Sequence, residues 1–198
     1  MREELERELA HKTYDEIDRA LRGLSDGGLF DLFDSHSIKV GNSACDILAS
    51  RMRSGFADLL VDALLQGRLR TKLGRMRASA TLNQYGKDAP RAHEAYLHLL
   101  HDRSADVIDN ALFGLVFLED KANLPAIEAA RDALSANSAQ RPRFNCAIKA
   151  LRDGNPFLFS SGFADSQNAW GLKDSPLKQL AQAAEDKARQ GPSSGLPE

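Results

Sequence analysis

The stretch ADVIDNALFGLVFLED (Ala105–Asp120), followed by LPAIE (Leu124–Glu128), decides the fold. Ile108, Ala111, Leu112 and Leu115 recur at three and four residues, which puts them on one face of a helix. An acidic turn follows, and Asn123 and Pro125 open a second helix: Asn can cap, and Pro at a helix start forfeits no hydrogen bond. Ala111 and Gly114 are small enough to let a neighbouring helix come close. The unit is therefore a helix pair.

The same pattern returns on both sides of this stretch. Leu60, Ala63 and Leu64 superimpose on Tyr96, Leu99 and Leu100 at an offset of 36, and Ala78, Leu82 and Tyr85 on Ala111, Leu115 and Leu118 at 33. Ile108, Ala111, Leu112 and Leu115 in turn superimpose on Phe144, Ala147, Ile148 and Leu151 at 36. Neither helix of such a pair can bury its apolar face alone, so the pairs must stack. The expectation is an all-α fold, a short α-solenoid of three to four stacked antiparallel helix pairs. Helices are predicted over 43–53, 56–66, 69–84, 89–101, 105–118, 123–135 and 141–152.

The acidic turns, the small residue facing the partner helix, and the Leu124-Pro125 opening resemble HEAT-type repeats of the phycobilisome-lyase class. The resemblance is good over 105–135 and fair over 69–104. It implies that the second helix of each pair lines a concave surface. Two enzyme families with similar scaffolds do not fit. HEAT-like DNA glycosylases call for a basic groove, and deoxyhypusine hydroxylase binds iron through several His-Glu pairs. This chain has only His93-Glu94, since His11 and His36 are not followed by Glu.

Working outward, residues 1–42 read as an N-terminal helix and connector. Leu5, Leu9, Ile17, Leu21 and Leu24 make one stripe over residues 1–24, whereas 29–42 mixes Phe30, Phe33 and Ile38 with polar residues in no sustained period. The repeat core spans 43–153. Residues 154–190 hold Phe157, Phe159, Phe163 and Trp170, read as an irregular aromatic cap or a binding anchor at 157–170, then a short helix near 176–189; residues 191–198 read as a disordered tail.

Composition agrees with a helical chain. Of 198 residues, 28 are Ala and 28 Leu, against 13 Val, Ile and Thr together. The balance of 26 basic against 28 acidic residues gives a net charge of -2, which argues against a nucleic-acid binder. Cys45 and Cys146 match no zinc or thiol-pair spacing and read as reduced thiols. The N-terminus, Met1-Arg2-Glu3-Glu4, lacks the apolar run of a secretory signal, and the longest apolar run, 111–118, is far below the roughly 20 residues that cross a bilayer. A cytoplasmic location and no membrane partner are expected.

Two constellations carry chemistry. Glu94, His98 and His101 fall at i, i+4 and i+7 on one helix face, beside His93 and Asp102, and could hold a divalent metal. At the repeat offsets, Asp58, Glu94 and Glu128 form one rung-by-rung column and Asp62, His98 and Asp132 the next. If the second helices line the groove, that groove is acidic and attracts a basic protein. Arg68, Arg70, Lys72, Arg75 and Arg77 form a basic stretch on the opposite side, a candidate phosphate-binding patch. No Gly-x-Ser-x-Gly elbow or Gly-rich phosphate loop exists. The expectation is a non-catalytic protein-binding module, without cofactor or metal, using Asp58, Asp62, Glu94, His98, Glu128 and Asp132. Its specific form is a bacterial immunity or antitoxin protein that neutralises a basic partner, and the alternative is a metal-dependent or lyase-like enzyme using Glu94, His98 and His101.

Overall fold

A computed structural model describes residues 2–52, 55–85, 88–156 and 158–159. The charged start is two helices rather than one: α1 (Arg2–Leu9) and α2 (Tyr14–Leu21) are divided at Thr13. The Thr13 side chain accepts from the Glu16 amide, and the Glu16 carboxylate accepts the Thr13 amide at 2.8 Å, a reciprocal capping box that starts a new helix there. The expected connector is also helical. Ser25 caps α3 (Asp26–Phe33), accepting the Gly28 amide at 3.2 Å, and Leu29, Phe30, Leu32 and Phe33 are all buried. With only eight residues and its buried positions confined to 29–33, α3 is too short to show a sustained apolar period, which is why the sequence hides it. The next helix, α4 (Ile38–Met52), begins five residues earlier than expected, behind Ser37, whose hydroxyl accepts the Val40 amide at 3.4 Å.

The remaining elements are α5 (Gly55–Leu65), α6 (Lys72–Tyr85), α7 (Ala92–Leu99), α8 (Ala105–Phe117), α9 (Leu124–Asp132) and α10 (Arg141–Asp153). A 3-10 turn, Lys121–Asn123, leads into α9. The described secondary structure is helical throughout. Contacts run in a repeat-like order: α4, α6, α8 and α10 each pack on the next, α5 packs on α7, and neighbouring helices pack as α4 on α5, α6 on α7 and α9 on α10. The described residues thus give an all-α fold of packed neighbouring helices, with α8 set between α6, α7 and α10. In the matched columns, Leu60, Ala63, Leu64, Ile108, Ala111, Leu112 and Leu115 and their partners 36 residues on are at most 4% exposed. Each large side chain so buried contributes about 1.5–3 kcal/mol.

Polar ties between successive first helices keep the same spacing. Arg77 donates to Asn42 Oδ1 at 2.9 Å across 35 residues, Asn110 to the Met76 carbonyl at 3.4 Å across 34, and Arg143 to Asp109 at 3.2 Å across 34. The closest apolar approach is at Gly114, where an added Cβ would overlap the Tyr96 ring and Asn83 Oδ1.

The N-terminal helices pack on the stack: α2 and α3 lie against α4, and α1 against α3. A buried polar junction joins them to α6. Asp34, 4% exposed, accepts the Arg70 amide at 3.2 Å, the Thr71 amide at 3.0 Å and the Thr71 hydroxyl at 2.9 Å. Thr71 Oγ1 in turn accepts the Gly74 amide at 2.8 Å, so Thr71 serves an orphan donor of α6 while Asp34, at the end of α3, holds Thr71 in place. Gly74 leaves the room this needs, because a Cβ there would overlap Asp34 Oδ1. Beside it the Arg77 guanidinium lies over the Phe33 ring, donates to the Phe33 carbonyl, and fills the space left by Gly41.

The last helix closes on Gly154, which has the left-handed φ of 66°, and the Asn155 amide reaches back to the Ala150 carbonyl at 2.9 Å. Pro142, Asn145, Lys149 and Arg152 form the exposed stripe of α10. At the 36-residue offset, Lys149 and Arg152 stand where α8 has Phe113 and Val116, both buried. A helix with a polar outer face can end a stack. Phe159 is buried with the Arg143 guanidinium 4.5 Å from its ring centroid, and Cys146 Sγ donates to the Leu158 carbonyl at 3.2 Å. Phe157, Phe163, Trp170, the expected helix near 176–189 and the tail lie outside the described residues. No helix among the described residues is long and apolar enough to cross a membrane.

Candidate functional site

Asp58 and Asp62 lie one turn apart on α5, whose other face buries Phe56, Leu60, Ala63 and Leu64, and Glu94 lies in the first turn of α7. Because α5 packs on α7, the three carboxylates meet above the seam. The cation they share is Arg91, at the start of α7. Its guanidinium is 3.0 Å from Asp62, 3.6 Å from Glu94 and 3.8 Å from Asp58. The Arg91 side chain is 42% exposed and the carboxylate side chains are 41–62% exposed. Three carboxylates against one guanidinium leave a formal charge of -2. The hydrogen bond to Asp62 is the main reason that Arg91 holds its proton more firmly than an ordinary arginine. His98, one turn beyond Glu94, is exposed.

The third rung is electrostatically different. Asp132 accepts from Arg131 at 2.8 and 3.1 Å and lies 3.5 Å from Arg141, and Glu128 pairs with Arg152. The hydrogen bond from Arg131 holds the Asp132 carboxyl below the usual carboxylate range. Two carboxylates against three guanidiniums give +1. The six residues read as two adjacent columns therefore divide into an acidic cluster on α5 and α7 and a cluster on α9 that arginines of α9 and α10 neutralise. Arg91 is the residue that the sequence reading missed; its local signal was the Arg91-Glu94 spacing of three, which makes helix neighbours.

The metal reading finds no geometry. Among the described residues, no three His, Cys, Asp or Glu side chains gather to hold a metal ion, so Glu94, His98 and His101 do not converge. Their neighbours are engaged elsewhere. His93 Nδ1 sits 2.7 Å from the Pro90 carbonyl, and Asp102 accepts from Arg75 at 2.5 and 3.2 Å and from the Ser104 amide at 2.8 Å.

The basic stretch 68–77 is structural at most of its positions. Arg75 also donates to the carbonyls of Arg70 and Thr71, at 2.9 and 3.1 Å. Lys72 pairs with Asp106, Arg68 lies 4.6 Å from the Phe30 ring centroid, and Arg77 is spent in the junction. Cys45 and Cys146 are free thiols. Cys45 is buried 3.4 Å from the Thr81 hydroxyl, and burial pushes its thiol up to about 11, so it is not a thiolate nucleophile near neutral pH.

No family model, curated protein or solved structure matches this chain. What the site can do follows from charge and position: an exposed acidic cluster across two packed helices can attract and hold a cationic group.

Proposed function

We propose that the chain is a non-catalytic protein-binding module that draws a basic partner to Asp58, Asp62 and Glu94, with His98 alongside. The observation that carries this reading is the shared guanidinium: three exposed carboxylates from two helices converge on Arg91 and keep an excess of two negative charges. Such an excess steers a cationic surface during encounter, and the effect falls with salt. Glu128 and Asp132, already met by Arg131, Arg141 and Arg152, belong to the edge of this surface rather than its centre. The resemblance of residues 105–135 to HEAT-type repeats supports a groove on this side. A bacterial immunity or antitoxin protein is the specific form of the proposal, because toxins that act on nucleic acid are commonly basic.

The test uses a nona-arginine peptide as the cationic probe and stopped-flow association at several salt concentrations. Reversing Asp58 and Glu94 together to Lys is expected to slow association at least tenfold at low salt and to flatten its salt dependence, while Glu128→Lys changes either by less than threefold. Equal effects from the two variants, or none from the first, overturn the assignment.

A further inference from the structure

We draw no further inference here: the strongest candidate, the exposed apolar surface patch formed by Tyr14 and Ile38 at the starts of α2 and α4, carries nothing because nothing in the structure shows what covers it.

Discussion

Arginine faces carboxylate in two unlike places in this molecule. At the junction of α3 with α6, Asp34 is buried and Arg77 part-buried among packed helices, and their hydrogen bonds run to backbone groups and neighbouring side chains of the fold. On α5 and α7, Arg91 and its three carboxylates stand in water. Burial makes the first arrangement costly to break, since removing Asp34 leaves the Arg70 and Thr71 donors without their acceptor away from water. Exposure makes the second nearly neutral for stability and leaves its field available to a partner. The same two residue types thus lock the fold in one region and decorate it in the other.

The hardest blow to this contrast is Asp34→Ala. It removes the acceptor of three hydrogen bonds and the carboxylate beside Arg77, and a loss of about 3–5 kcal/mol in urea unfolding is expected. A cost below 1 kcal/mol would mean that the junction is not what locks the N-terminal helices down. Next comes an uncharged yardstick, Gly114→Ala. The added methyl has to push against Tyr96 and Asn83, an overpacking that costs about 1–3 kcal/mol by the same measurement.

Asp109 and Arg143 occupy the middle ground, each about one quarter exposed. Burial outweighs the pull of Arg143 and raises the Asp109 carboxyl above its ordinary 3.8. The folded chain then binds this proton more tightly than the unfolded chain does. The contribution of Asp109 is therefore full below 3.8 and declines as pH rises through the folded value. In urea midpoints taken across that window, Asp109→Asn should gain on the parent as pH rises. A constant difference, or a parent that gains on Asp109→Asn as pH rises, refutes the raised value.

The smallest stability effect is expected at Arg91. Arg91→Ala should move the unfolding free energy by less than about 0.5 kcal/mol. It also takes the cluster from -2 to -3, so the arginine probe should associate faster. A large loss of stability would place Arg91 with the junction rather than with the surface.

Much of the helical order was legible because apolar residues recur at helical spacing. The columns headed by Leu60 and Ile108 have a period that survives substitution, and α8 and α10 begin at the expected residues. What escaped was local or global rather than periodic. Leu9 and Ile17 are eight residues apart and continue one stripe, which concealed the break that Thr13 and Glu16 impose. The shortness of α3 left its buried residues, all within 29–33, too few to show a period. The carboxylates of the site could be placed rung by rung, but their counter-charges could not. Arg141 and Arg152 reach Asp132 and Glu128 from α10, across a turn whose geometry no offset encodes.

The charged stripe of α10 gives the last described helix a polar outer face. With Lys149 and Arg152 where α8 has Phe113 and Val116, this face of α10 offers another helix no greasy seat. Anyone wishing to lengthen the array by grafting would first have to rewrite those two positions.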